Sequence, residues 1–246
     1  MPATQYKIWA IGAPVGEGAT QSFHVGVAGI AKGSTVTLPY TVSNELISNL
    51  LARSIFLPTP PGFIIDHNNE AHYVSLNFNL AGQDLPPVDP VALVAAHPQL
   101  ACGIVLFDMW IVNGDRHRKN IAFDTVSNKV EIFDHSHAFF QGGQNHLVAA
   151  VDQLGIGGHC LANRLPSLDG MVEWSERMRA IPEFYIREAI ADAVDLGLPT
   201  NQQDFCTAFL LTRRERLLRL VRDNQAAFPL VPPANWDQWD ADGVIQ

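Results

Sequence analysis

The sequence predicts an α+β chain in two lobes, a small β-rich one over residues 1–77 and a larger, mostly helical one over residues 78–246. Three observations predict it. Short apolar segments separated by Gly- and Asn-rich turns fill the first 77 residues. A polar, proline-bearing stretch from Gly82 to Pro90 then reads as a connector. Beyond it, apolar residues recur at helical spacing over Met171–Leu196 and Gln202–Phe228.

In chain order, Tyr6–Ile11 and Phe23–Val27 read as strands around a glycine-rich turn at Gly12–Gly18, with the extended segment running on to Lys32. Ser43-Asn44-Glu45 opens a run in which Leu46, Ile47, Leu50 and Leu51 share one face. That is the pattern of a capped amphipathic helix ending before Pro58 and Pro60. Gly62–Ile65 and Ala71–Leu76 make a second strand pair around Asp66-His67-Asn68-Asn69, whose residue types suit a turn. Val91–Val112 is apolar enough for one or two buried helices. Ile121–Phe123 and Val130–Phe133 flank the polar turn Asp124–Lys129, as a small hairpin would. Phe205, Phe209, Leu217, Leu218 and Val221 form a stripe along the last helical stretch. The tail from Pro229 carries Trp236 and Trp239 and is expected to dock on the body or reach a partner.

Composition narrows the classes. With 47% hydrophobic residues, 18 Gly and 16 Pro, the chain is neither collagen-like, coiled-coil nor disordered. A net charge of −9 disfavours binding to a nucleic-acid backbone, which depends on clustered cations. An anionic nucleotide would instead be held by local positive groups and a divalent cation. Cys102, Cys160 and Cys206 are odd in number and far apart, so neither a disulfide framework nor a zinc ribbon is indicated. Met1–Trp9 lacks a basic segment followed by an apolar one, and the apolar run Leu100–Phe107 stops at Asp108, too short to span a bilayer. A soluble cytoplasmic protein with no membrane partner is expected.

The chemistry lies in Asn113-Gly114-Asp115-Arg116-His117-Arg118-Lys119-Asn120 and, after the hairpin, Phe133-Asp134-His135-Ser136. Phosphoryl transfer needs a carboxylate near the attacking hydroxyl, an amide oxygen on a metal ion, and a second carboxylate bridging metal and phosphates. Asp115, Asn120 and Asp134 supply that set in order. A loop bearing Asp115 and Asn120 that runs into a hairpin returns Asp134 beside the Asn, so both metal ligands face one cleft. Taken singly, these residues have plainer readings: a surface ion pair at Asp115–Arg116, a turn at Asn113–Gly114, a strand-end carboxylate at Asp134. In the small lobe, Gly16-x-Gly18-Ala19-Thr20 sits between strands where backbone amides would approach phosphates, a place that a simple turn also fills. Lys32 would reach the phosphates, with Glu45 on the next helix as its ion-pair partner; a solvated strand-end lysine is the plainer alternative.

The Asp-Arg-His-x-x-Asn loop resembles that of the HipA-like kinases and of phosphoinositide kinases. The HipA-like resemblance rests further on Gly-Ala-Thr-Gln-Ser ending at Ser22, on Ala31-Lys32-Gly33, and on Asn44-Glu45 followed by a helix that ends at Leu57-Pro58-Thr59-Pro60. It covers roughly residues 16–140. Asp-His-Ser stands where Asp-Phe-Gly is common, which weakens an activation-loop analogy more than a metal-site one. The resemblance implies a protein-kinase-like fold with ATP and Mg between the lobes. In its terms Asp115 orients or deprotonates the acceptor hydroxyl, Asn120 and Asp134 hold Mg, and Lys32 with Glu45 positions the phosphates. Gly16, Gly18, Ala19 and Thr20 would cover the phosphates, Asn77-Phe78-Asn79 would offer hinge groups to adenine, and Arg116 or Lys119 would compensate transferred charge. The acceptor implied is a protein Ser or Thr, though the same loop also resembles lipid and small-hydroxyl kinases.

Other classes use the same residues differently. A nucleotide-binding pseudokinase would regulate a partner without catalysis. His117, His135, His137, His146 and His159 with Asp115 are raw material for a zinc or iron site, without a His-Glu-x-x-His or paired-cysteine frame. No Gly-x-Ser-x-Gly elbow supports a hydrolase. The chain is compact for the family, which leads to the expectation that it works with a second protein.

Overall fold

The computed structural model describes residues 8–16, 20, 22–78 and 86–236. Strands β1 (Ile8–Pro14) and β2 (Phe23–Val27) pair antiparallel as a ribbon of their own, exposed along its whole length. The extended segment does not run on unbroken to Lys32. It breaks at buried Ala28, whose carbonyl accepts the Asn77 amide at 2.9 Å, so Lys32 stands on a third strand, β3 (Gly29–Gly33).

Helix α1 (Thr41–Ser54) follows, then β4 (Gly62–His67) and β5 (Glu70–Leu76). The sheet order is β3-β5-β4, with Lys32 opposite Tyr73. Gly62 is required beside it, because a Cβ there would lie 2.1 Å from the Tyr73 hydroxyl. Ser43 and Asn44 do not cap α1, which begins earlier, where the Ser34 hydroxyl accepts the Val42 amide at 3.3 Å. Both residues are buried and tie the helix to the larger lobe. Ser43 Oγ donates to Leu196 O at 2.9 Å, and Asn44 Nδ2 donates to Ser136 O at 3.2 Å while its Oδ1 accepts the Phe140 amide at 3.3 Å.

The apolar stretch from residue 91 becomes two helices, α2 (Pro90–Ala96) and α3 (Pro98–Trp110), set 118° apart. Pro98 cannot continue a helix from the preceding turn and starts a new one instead. From Ala101 to Trp110 every residue of α3 is buried, which explains why it is apolar all round except at Asp108. No single helix among the described residues is long and apolar enough to cross a membrane. The hairpin is β6 (Ile121–Asp124) and β7 (Lys129–Ile132), followed by α4 (Gly143–Ala150). The next helical stretch divides at Pro182 into α5 (Asp169–Arg179) and α6 (Glu183–Val194). Then come α7 (Gln203–Asp223) and the short α8 (Pro233–Trp236).

The core forms where α3 packs against α5 and α7, while α6 packs on α1. Gly103 lets Trp174 lie flat on α3, where a Cβ would meet the indole at 2.3 Å, and the Trp174 Nε1–H donates to Gln99 O at 2.8 Å. On α7 the expected stripe is buried at Phe209, Leu217, Leu218 and Val221, and Phe205 packs partly buried beside it. Arg213 lies on the same face and is fully buried too. Its guanidinium donates to Met109 O at 2.6 Å, to Gln153 O at 2.8 Å and to Leu154 O at 2.9 Å, and also to Ala150 O.

Candidate active site

The loop from residue 111 to residue 120 is folded around a carboxylate the motif does not contain. Asp108, in the last turn of α3, is fully buried. It accepts Arg116 Nε at 2.8 Å and Nη2 at 3.0 Å, Asn113 Nδ2 at 2.8 Å, and His159 Nε2 at 3.0 Å. Burial pushes its carboxyl up, but Arg116 and His159 overcome that and hold it well below the usual range. The remaining Arg116 donor, Nη1, reaches Asn120 O at 2.9 Å and Phe133 O at 2.6 Å. One side chain thereby joins the two loops. Arg116 forms no surface ion pair with Asp115 and does not face the cleft, because every arm of its guanidinium is engaged beneath the loop.

The hairpin register then does what the spacing suggested. Ile121 faces Ile132, and the Phe133 amide donates to Asn120 O at 3.2 Å, which brings residue 134 beside Asn120. Asn120 is buried and its Nδ2 donates to Asp115 O at 3.1 Å, whereas the Asp115 side chain is 45% exposed and open to a second molecule. Val112 and Asp134, at the entry to the first loop and in the second, have φ of +53° and +62°. For a β-branched residue such as Val112 this costs about 1–3 kcal/mol, sustained by the packed surroundings.

Across the cleft, Lys32 Nζ lies 2.5 Å from Glu45 Oε1 and 2.7 Å from Asp134 Oδ1. Asp134 Oδ1 also accepts the Ser136 hydroxyl at 2.9 Å. Burial opposes charge on all three ionised groups and is outweighed in each. Glu45 and Asp134 keep the Lys32 ammonium above its ordinary range, His135 and Lys32 keep Glu45 below its own, and Lys32 with Ser136 holds Asp134 at about 2. His135 is buried with its Nδ1 facing Glu45 Oε2 at 3.7 Å and its ring edge-on to Phe107. Burial and Arg116 push its imidazole below the ordinary value.

These residues border a cleft of about 330 Å³, walled by Ile30, Tyr73, Leu76, Phe78 and Phe133 and edged by Lys32, Glu45 and Asp134. The Phe78 and Phe133 rings meet at a tilt of 41° with centroids 5.1 Å apart. An apolar slot ending in a charged edge suits a planar base with a polyanionic tail. Asn77 and Phe78, expected as hinge residues, are among its lining. Gly16 and Thr20 lie in the turn of the exposed ribbon and are not among the lining residues; Gly18, Ala19 and Asn79 fall outside the described residues. Among the described residues no group of three or more His, Cys, Asp or Glu could hold a metal ion, and His135 and His159 sit in separate buried contacts.

Residues 15–150, more than half of the chain, match the family described as HipA-like kinase. The chain belongs to the HipA-like kinase family. It is therefore a kinase-type phosphotransferase by family and fold. The structure is similar to that of the Helicobacter pylori proinflammatory kinase CtkA, with a TM-score of 0.57 and 12% identity, covering 90% of this chain and 97% of that one. It is also similar to a solved Shewanella oneidensis MR-1 chain from a complex of the toxin-antitoxin system HipA, HipB and its operator DNA. There the TM-score is 0.48 and the identity 15%, over 92% of this chain and 67% of that one. No curated protein matches the sequence.

Proposed function

We propose that this HipA-like kinase transfers the γ-phosphoryl group of ATP, with Mg, to a Ser or Thr hydroxyl of a protein. Lys32, held between Glu45 and Asp134 at the edge of the apolar cleft, carries the reading. Among the described residues it is the only Lys or Arg lining that cleft, at the edge where the phosphates of a bound nucleotide would lie. Residues 1–77 would form the nucleotide lobe and residues 78–246 the acceptor lobe.

The donor set fits Mg. Asn120 and Asp134 offer oxygen ligands, Asp134 is ionised, and its Oδ2 accepts from no group among the described residues. Mg, when bound, would neutralise charge on the phosphates. Lys32 would turn toward the α- and β-phosphates with Glu45 still holding its other side. Asp115 would take the proton of the acceptor hydroxyl as that oxygen bonds to the γ-phosphorus and the bond to the β,γ-bridging oxygen breaks, releasing ADP. Phe78 and Phe133 would enclose the base and exclude water from it. The net charge of −9 supports a protein acceptor over a nucleic-acid one.

Calorimetry with ATP, with and without Mg, tests the reading on wild type and Asp134→Asn, alongside phosphoryl transfer by Asp115→Ala. Mg-dependent binding lost in Asp134→Asn is expected, with transfer lowered about 10²–10⁴-fold in Asp115→Ala while its ATP affinity stays near wild type. Absence of ATP binding at any Mg concentration would sink it. Binding without transfer to any hydroxyl would make the protein a nucleotide-binding regulator instead.

A further inference from the structure

The segment between α4 and residue 161 has no part in the nucleotide cleft, yet it is fixed with unusual care. At its start, buried Arg213 donates to the carbonyls of residues 150, 151, 153 and 154. At its end, buried His159 donates from Nε2 to Asp108 and accepts the Leu161 amide on Nδ1 at 3.1 Å, and the Cys160 amide donates to Arg116 O at 3.0 Å. Both anchors lead to the catalytic loop. Asp108 and Arg116 shape that loop, and Arg213 also holds Met109 O, one residue beyond Asp108.

Between the anchors the chain presents Gly157 and Gly158, both exposed. Gly157 has φ +44° and approaches so closely that a Cβ would sit 3.3 Å from Gly114 O, next to Asp115. Gly158 and Gly114 have open space where a side chain would stand. Among the described residues the amides of Gly157 and Gly158 donate to no acceptor. Two buried cationic or imidazole anchors thus hold bare main chain against the loop that carries the proposed base.

We propose that Gly157–Gly158 is the platform on which the acceptor lies, and that the acceptor is an extended peptide whose main chain pairs with these amides to bring its Ser or Thr hydroxyl to Asp115. This rests on the phosphotransfer reading and adds to it the surface on which the acceptor is held. A small polyol would need converging polar side chains for recognition, and a lipid headgroup would need free local cations. Here Arg116 is consumed by Asp108, and His117 Nε2 lies 3.9 Å from Asp115 Oδ2; exposed Lys119 and Arg118, whose Nε donates to Val88 O at 2.8 Å, are fewer than the clustered cations a headgroup needs, while the surface facing Gly114 is the backbone of Gly157. Bare backbone amides recognise another backbone, as in β-strand addition.

Gly158→Trp and Gly158→Ala separate the possibilities, since open space at the Cβ lets both fold. The probes are Mg-ATP by calorimetry, a degenerate peptide mixture with a central Ser or Thr, and glycerol and inositol as small acceptors. Gly158→Trp is expected to raise the peptide KM about ten-fold or more, with the Mg-ATP Kd within about two-fold of wild type and the same melting temperature; Gly158→Ala stays near wild type. Unchanged peptide kinetics in Gly158→Trp would overturn the assignment. So would a wild type that binds Mg-ATP and phosphorylates glycerol or inositol but no peptide, which leaves the nucleotide site standing. Failure of wild type to bind Mg-ATP at all is a different result and removes the phosphotransfer reading beneath it.

Discussion

Two carboxylate clusters joined through Arg116, which donates to Asp108 and to Phe133 O, are built from similar parts and differ in their access to solvent. Around Asp108 the partners are Arg116, Asn113 and His159, and both the aspartate and the arginine are sealed. Around Asp134 they are Lys32, Ser136 and, through Lys32, Glu45, with the Asp134 side chain 36% exposed and the lysine 26% exposed. The sealed cluster uses a guanidinium, whose rigid fork saturates one carboxylate and still reaches two carbonyls. The open cluster uses an ammonium on a flexible stem, a point charge able to exchange partners. A sealed network fixes geometry, and an open one is left to react.

Breaking the sealed cluster gives the largest expected effect. Asp108→Ala strands Arg116 as an uncompensated buried charge, and unfolding by urea should show a loss of about 3–5 kcal/mol, with activity lost as well. A change smaller than about 1 kcal/mol would mean that the loop does not depend on this anchor.

Acid sharpens the contrast in the open cluster. The folded state holds Asp134 at about 2, below the ordinary carboxylate value near 4, so the stability this contributes is present above about pH 4 and is lost as pH falls toward 2. Urea midpoints stepped through that window should fall less steeply in Asp134→Asn than in wild type. Parallel curves would show that the Lys32 contact contributes nothing. Smallest of all is the effect at Arg187, exposed and paired with Glu183 and Asp204. Arg187→Ala should leave the unfolding midpoint unmoved, because water screens such pairs; a clear drop would mean that solvent access is not what separates the clusters.

The placement of the motif residues in the 113–120 loop was legible because it follows from local spacing: the hairpin register follows from a turn of fixed length and brings residue 134 back beside Asn120. What supports them was not. Asp108 entered the sequence reading only as the residue that ends an apolar run, although a carboxylate inside a wholly buried helix needs a partner and asks for one. His159 lies far along the chain with no local signature of its role. Arg213 carries a signal, since Phe209, Arg213 and Leu217 share four-residue spacing and hence one buried face, but an apolar stripe does not by itself announce a charged member. In α1, Ser43 and Asn44 look like a cap because capping residues are also good inter-lobe hydrogen-bonders, and only tertiary contact distinguishes the two uses. The break at Ala28 is likewise decided by which sheet each strand joins.

The contact between Lys32 and Asp134 has a consequence for how the protein persists before it works. Because the lysine serves as an internal counter-ion, the carboxylates at the cleft edge need no imported cation to coexist. The cleft edge is thereby balanced within the chain itself: one ammonium shared between two carboxylates lets this corner fold on its own side chains alone.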